Sequence, residues 1–284
     1  MSDYVIETEQ LTKDYGAGRG IFDINLSIKK GEIYGFVGTN GSGKTTTMRN
    51  LMGFIKPDIG NAKIMGMDSW KCSAEIMKYV SYVPGEISFP DLKTGTQFLK
   101  SQAEYLGVHD FSYMNRIIEM LQLDPGAGLK RMSKGMKQKT AIAAALMGEK
   151  DILILDEPTT GLDPLMRDAF LEMMHMEKDK GHTVFMSSHI FEEIEDTCDR
   201  VAMILDGRIM DIVSLNEFMH PENKKFVITY KDGSIEEQQV PVSSLNAFFL
   251  SIKDKNVFSL SEKRKSLQDI FVEAYKKGAV KNEK

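Results

Sequence analysis

Cysteine is scarce: this chain of 284 residues has two, Cys72 and Cys198, far apart and in unrelated contexts. They make neither a ligand-spaced cluster nor a disulfide framework, which excludes a stapled secreted scaffold and fits a reducing compartment. No apolar run approaches the ~20 residues that cross a bilayer as a helix, so any membrane role goes through a partner. The opening "MSDYVIETEQ" is acidic and lacks the apolar segment of a secretory signal. Positive charge is not in excess either: 36 Lys and Arg face 41 Asp and Glu, a net charge of −5. That balance argues against nucleic acid as the main partner of the whole chain. Internal repeats and low-complexity tracts are absent. What remains is ordinary for a globular protein, 42% hydrophobic and 27% charged, and long enough for one large domain or one domain plus a smaller one. The 19 methionines read as flexible core filler, with an adaptable docking surface as the sharper alternative.

One stretch is locally ambiguous. "KRMSKGMKQK", Lys130 to Lys139, has five basic residues in ten. By itself it fits a nucleic-acid patch, a localisation signal, a wet helix face or part of an active site. Its neighbours decide.

Along the chain, "FDINLSI" alternates as a half-buried strand does, and "EIYGFVG" is an apolar run ending in glycine. "TNGSGKTTTMRNLMG" follows as a Gly-rich loop opening a helix that stops at Gly53; "KIMGM" and "VSYVP" read as short strands. From Gly95 to Met147 the periodicity turns helical, so residues 95–147 read as a helical insertion. "DILILDEP" is a buried strand of a mainly parallel sheet. "LMRDAFLEMMHMEKDKG" is a helix and "HTVFMSSH" a strand, and Asp206-Gly207 inside "VAMILDGRIMDIV" marks a hairpin. The pattern changes after about Leu215. "KKFVITYKDGSIEEQQVPV" reads as a hairpin turning at Asp232-Gly233, "SLQDIFVEAYKKG" as a short amphipathic helix, and the final "KKGAVKNEK" as disordered. The organisation is thus a main domain over 1–215 and a small accessory unit over 216–284.

Two motifs carry chemistry. "GTNGSGKTT", comprising Gly38, Thr39, Asn40, Gly41, Ser42, Gly43, Lys44, Thr45 and Thr46, fits G-x-x-x-x-G-K-[ST] between a predicted strand and a predicted helix. The glycines let the backbone curl around an anion without Cβ clashes. Loop N–H groups and the helix N-terminus face phosphates. Lys44 is expected over the β- and γ-phosphates and the Thr45 hydroxyl on Mg²⁺. The apolar strand "ILILDEP" delivers Asp156 and Glu157 at its C-terminal end, where open α/β sheets place their ligands. Asp156 is the expected Mg²⁺ partner, through water, and Glu157 the candidate general base.

In this order the motifs resemble the ATP-binding subunit of an ABC transporter. "GTNGSGKTT" resembles Walker A, "MSKGMKQK" stands where the family has its LSGGQ signature, "ILILDEP" resembles Walker B, "TTGLDP" the D-loop, and "MSSH" the segment ending in the switch histidine. Tyr15 in "LTKDYG" sits where the family keeps an adenine-stacking aromatic. The motifs span about Leu11 to Gly207; the tail is covered loosely. The resemblance implies an α/β fold: a P-loop NTPase core with a mainly parallel sheet and an antiparallel β subdomain. To this it adds a helical signature subdomain and a small C-terminal α+β unit. It implies that Tyr15 stacks on adenine, that His189 contacts the γ-phosphate and helps hold the attacking water, and that Asp163 shapes a dimer contact. ATP and Mg²⁺ are the implied cofactors.

The family pattern is broken in two places. Its glutamine after the "VSYVP" strand is replaced by "PGEISFPD", with Gly85 at that position and Glu86 next; Glu86 reads either as an extra oxygen for the metal or as a solvated loop acid. In the signature Ser133 and Gly135 remain, while Met132, Lys134 and Met136 replace the family leucine, one of its two glycines and its glutamine.

The resemblance further implies a head-to-tail homodimer in which each ATP lies between one chain's phosphate loop and the other chain's Ser133, Lys134 and Gly135. Gly135 would lack a Cβ so that the backbone approaches that ATP. Lys134 either adds a cation there or points away, the latter favoured; Lys137 and Lys139 read as a solvated helix face. A separate membrane-spanning subunit is the implied partner. It would dock on the helical insertion and "PGEISFPDL", at the cytoplasmic face of a bacterial cell membrane, with no nucleic acid involved. The "YVPGE" loop, the "SKGMKQK" signature and the "SLQDIF" tail resemble simple exporters of drugs and antimicrobial peptides. An importer subunit and a soluble ABC-type ATPase of DNA repair or translation are the alternatives. The chain has neither the coiled coil or zinc cysteines of the repair members nor the second cassette of the translation members.

Overall fold

The structure, a computed structural model, describes residues 3–281, with side chains described through residue 276. The chain divides after Val213 into two compact units.

The first unit opens with β1 (Tyr4–Asp14) and β2 (Gly20–Lys29), an antiparallel pair. The apolar positions of β2, Ile21, Ile24, Leu26 and Ile28, are all buried, while Asn25 and Lys29 face water. β3 (Ile33–Val37) is buried at every residue, as a strand covered on both faces must be. The phosphate loop then leads into α1 (Lys44–Leu51), followed by β4 (Ile59–Ile64), β5 (Met67–Asp68), the single turn α2 (Ser73–Ile76) and β6 (Val80–Val83). The expected strand "KIMGM" is interrupted: Lys63 and Ile64 end β4 and Met67 starts β5, while Met65 and Gly66 between them both take positive φ, 51° and 76°, and fold the chain back on itself.

The helical segment holds α3 (Gly95–Leu106), α4 (Ser112–Met120), a 3₁₀ turn at Leu129–Arg131 and α5 (Lys134–Leu146). Caps set the limits of α3: the Thr94 hydroxyl accepts from the Gln97 amide, and the helix ends on Gly107 at φ 69°. Then come β7 (Ile152–Leu155), α6 (Pro164–Asp179), β8 (Thr183–Ser188), a short α7 (Phe191–Thr197), β9 (Arg200–Leu205) and β10 (Arg208–Ser214). The turn between β9 and β10 carries Asp206 and Gly207 at φ 47° and 73°, the double positive φ of a tight hairpin.

Among the described residues of this unit the strands form a four-stranded sheet, β2-β1-β4-β5, and a six-stranded sheet, β10-β9-β3-β8-β7-β6. In the second, β9, β3, β8, β7 and β6 run parallel. The C-terminal ends of β3, β8, β7 and β6 therefore lie along one edge, and Gly38, His189, Asp156 and Gly85 follow them there. Between the layers, Tyr34 and Phe36 of β3 meet Phe185 of β8 at ring distances of 6.0 and 5.5 Å. Each fully buried side chain of this kind stabilises the fold by roughly 1.5–3 kcal/mol. Met48, Met166, Met173, Met174, Met186 and Met203 are buried too, so for these the core-filler reading holds.

The second unit has α8 (Leu215–Met219), β11 (Asn223–Tyr230), β12 (Ile235–Pro241), a 3₁₀ turn at Val242–Ser244, α9 (Leu245–Ile252), β13 (Val257–Glu262) and α10 (Leu267–Lys281). Its sheet is antiparallel in the order β12-β11-β13, and the first hairpin turns through Asp232-Gly233, with Gly233 at φ 85°. Phe226 and Ile228 of β11 pack with Val240, Phe248 and Ile252 as its core. α9 and β13 were not expected from the sequence. α10 runs past Gly278 to Lys281, and residues 282–284 of the expected disordered end lie outside the described residues.

Candidate functional site

The phosphate loop connects the buried β3 to α1, so its position is fixed at both ends. Gly43, the residue before α1, has φ 111°, and a Cβ there would lie 2.7 Å from the Ile21 side chain. Both facts demand glycine. The Ser42 carbonyl accepts from the Gly207 amide at 2.9 Å, tying the loop to the β9–β10 hairpin. Lys44 is 5% exposed. Its Nζ donates to the carbonyls of Gly38 at 2.6 Å and Thr39 at 3.2 Å. Gly38 and Thr39 thus aim the ammonium rather than line the opening.

A cavity of about 470 Å³ opens over the loop, lined by Asn40, Gly41, Ser42, Gly43, Lys44, Thr45, Thr46 and Glu157, and by Tyr15, which is 48% exposed. Sequence reasoning missed other lining residues: Gly18 and Arg19 from the β1–β2 turn, Gly20 at the start of β2, and Asp206 and Gly207 from the hairpin. The signal for the hairpin was present in the Asp-Gly turn; that it folds back onto the phosphate loop is a tertiary fact.

Asp156 and Glu157 follow β7. Asp156 is fully buried; its Oδ1 accepts from the Ser187 hydroxyl at 2.8 Å, and its Oδ2 has no hydrogen-bond partner. A Cβ on Gly85 would lie 3.2 Å from that Oδ2. Nearby on β6, Tyr82 has its phenol pushed up to about 12 by burial and, secondarily, by the Asp156 charge. Glu157 takes φ 50°, rare for a non-glycine residue, and its amide donates to the same Ser187 hydroxyl oxygen at 2.9 Å. Ser187, the first serine of "MSSH", thus bonds both acidic residues, a contact that sequence reasoning passed over.

The Glu157 carboxylate is shared. Oε1 lies 3.1 Å from Lys44 Nζ, and Oε2 lies 2.6 Å from His189 Nδ1. Lys44, more than a hundred residues before the other two, thus meets Glu157 and His189 at the edge where β3, β7 and β8 end. Among the described residues, no group of three or more His, Cys, Asp or Glu side chains could hold a metal ion by itself.

The signature residues lie elsewhere in the chain's surface. Ser133 caps α5, its hydroxyl accepting from the Met136 amide at 3.2 Å. Lys134 is exposed and shares a recess of about 290 Å³ with Gly85, Glu86, Ile87, Lys137 and Gln138. Among the described residues, none of Ser133, Lys134, Gly135 and Glu86 lines the phosphate-loop cavity. Gly135 has an occupant of its own: a Cβ there would lie 2.5 Å from the Gly161 carbonyl oxygen of the same chain. Within the chain, the "TTGLDP" segment by itself requires glycine at this position. The Lys134 stem also runs past Gly161, its Cγ 3.2 Å from where a Cβ on that glycine would stand. Lys137 and Lys139 are half-buried, not the freely solvated face expected. Asp163 caps α6, Oδ1 accepting from the Met166 amide at 3.1 Å.

Gly135→Ala is therefore expected to push α5 and the Gly161 turn apart. Overpacking of this kind costs about 1–3 kcal/mol, read as a drop of several degrees in the thermal midpoint; an unchanged midpoint would show that the two segments are not in contact.

Residues 21–160 match the ABC transporter family model, and residues 128–195 match a second model described as "AAA domain, putative AbiEii toxin, Type IV TA system". The bacitracin transport ATP-binding protein BcrA of Bacillus licheniformis is 35% identical over 226 residues, 78% of this chain and 74% of that protein. The uncharacterized ABC transporter ATP-binding protein YcbN of Bacillus subtilis is 31% identical over 95% of this chain and 96% of that protein, so the likeness reaches the second unit. A solved structure of an ATP-binding subunit of an ABC transporter superposes with a TM-score of 0.68 at 28% identity, covering 76% of this chain and 92% of that one. A dimeric post-hydrolysis ATP-binding cassette bound to ADP and Pi shares the fold at a TM-score of 0.65 and 22% identity, over 74% and 98% of the two chains. Among the described residues no helix is long and apolar enough to cross a membrane.

Proposed function

The chain belongs to the ATP-binding subunits of ABC transporters, and from that premise we propose that it powers export of a drug or an antimicrobial peptide through a separate membrane-spanning subunit. It is an ATP-binding, ATP-hydrolysing cassette. The observation that carries the site assignment is the Glu157 carboxylate held between Lys44 and His189 at the mouth of the phosphate loop.

In this reading Tyr15 stacks on adenine, and the loop amides from Asn40 to Thr46 face the phosphates. The γ-phosphate competes with Glu157 for the Lys44 ammonium. Glu157 then takes the proton of the attacking water as that water bonds to the γ-phosphorus and ADP leaves. His189, bonded through Nδ1 to Glu157, keeps the carboxylate aimed. Thr45 and Asp156 fit Mg²⁺: a hydroxyl and a buried carboxylate with one unpartnered oxygen are hard donors, and phosphate and water complete such a shell. Bound there, the ion would neutralise charge building on the phosphates. Glu86 stands on a recess with Lys134 and Lys137, which favours the loop-acid reading over a metal ligand.

The head-to-tail homodimer is the arrangement in which Ser133, remote from the chain's own cavity, meets a partner's γ-phosphate. Closure on ATP and reopening after hydrolysis would be a ligand-driven shift between two states. Export is supported by likeness to a relative named for bacitracin transport. The chain would then work at the cytoplasmic face of the membrane, held by its partner.

The partner assignment is tested by purifying the tagged full chain from detergent-solubilised cell membranes. A multi-span membrane protein in stoichiometric yield is expected; recovery of the chain alone from membranes and cytosol would contradict it.

A further inference from the structure

A second acidic residue is buried beside the site without a part in the steps above. Glu193, on α7, is 6% exposed. Its Oε2 accepts from the Thr159 hydroxyl at 2.8 Å and from the Ser188 hydroxyl at 3.0 Å. Thr159 and Ser188 are 2% and 1% exposed, so water does not replace these bonds. Thr159 comes two residues after Glu157, and Ser188 immediately precedes His189. The Ser188 hydroxyl oxygen also accepts from the Ile190 amide at 3.0 Å, closing the turn that carries His189. On the other side, Arg167 Nε lies 3.7 Å from Glu193 Oε1 and donates to the Leu162 carbonyl at 3.2 Å, next to Asp163.

We propose that Glu193 is a positioning residue for ATP hydrolysis: one buried carboxylate clamps both flanks of the Glu157–His189 pair. The proposal rests on the catalytic reading of Glu157 and His189. A buried carboxylate is costly unless hydrogen-bonded and paired, and this one spends both bonds of a single oxygen on the two loops that carry the reacting groups. The 2.6 Å contact between His189 and Glu157 needs both loops in register. Because the clamp touches neither the phosphate loop nor Tyr15, it governs the chemical step and leaves ATP affinity alone.

Steady-state kinetics of Glu193→Ala and Glu193→Gln, on protein whose thermal midpoint shows it folded, test this. Glu193→Ala should lower kcat by about 10- to 100-fold with KM for ATP nearly constant. Glu193→Gln keeps a carbonyl oxygen for both hydroxyls and should recover most of the loss. In a Glu193→Ala/His189→Ala double variant the losses should not add, because both act through one group. A folded Glu193→Ala enzyme with normal kcat, or fully additive losses, overturns the proposal. Should Glu193→Ala not fold, Thr159→Val, which removes one hydroxyl at constant shape, takes its place, and a normal kcat there has the same force. If Glu157→Gln and His189→Ala themselves turn over normally, the underlying catalytic reading has failed; if they are inactive while Glu193→Ala is not, only the clamp has.

Discussion

Glu157→Gln is expected to lower ATP turnover by ~10²–10⁴-fold, the usual worth of a general base, while ATP still binds. The amide has nearly the volume of the carboxylate and keeps an oxygen toward its neighbours, but it cannot take a proton from water. The loop stays as it is: the Glu157 amide still donates to Ser187 at 2.9 Å, and the strained φ of 50° belongs to the backbone. Binding need not fall, because the substitution removes a negative charge 3.1 Å from Lys44 and leaves that ammonium freer to face phosphate. Phosphate release measures the first effect and equilibrium dialysis with labelled ATP the second. Hydrolysis at the normal rate would remove Glu157 from the role of base.

Lys44→Ala is expected to act one step earlier, on binding itself. The ammonium is nearly buried, fixed by the carbonyls of Gly38 and Thr39, and it faces Glu157. Removing it leaves two carbonyls and a carboxylate without their cation beside a ligand that is itself highly anionic. Truncating one member of a buried charge pair costs about 2–5 kcal/mol, so ATP affinity should fall on the order of 10²-fold or more. Titration of a fluorescent ATP analogue reads this directly. Unchanged affinity would mean that the phosphates do not lie over this loop.

How much of this could be read in the sequence depended on distance along the chain. The passage from β3 through the phosphate loop into α1 is local: an apolar run, then glycines, then a lysine and threonines, each constrained by its neighbours. The α/β class with a mainly parallel sheet, which the resemblance to ABC ATP-binding subunits implied, is the class observed. That β8 lies between β3 and β7 did not follow, because parallel neighbours are chosen by tertiary packing. Yet this order lets Ser187 bond both Asp156 and Glu157. Short elements were missed for want of periodicity: α7 has seven residues, too few for an apolar stripe to repeat. "KIMGM" misled because its apolar content hid a turn at Met65-Gly66. Gly135 was legible only in part. Its residue type announced a close approach, but only the fold shows that within the chain the Gly161 carbonyl makes one.

The central claim is that ATP joins two copies of this chain, phosphate loop to Ser133, and that Glu157 ends that state by hydrolysis. Light-scattering mass of purified Glu157→Gln protein in Mg²⁺-ATP tests it most directly. The account predicts twice the monomer mass with ATP, the monomer mass with ADP, and loss of the ATP-bound dimer when Lys44→Ala is added. A mass that is the same with ATP as with ADP would contradict it.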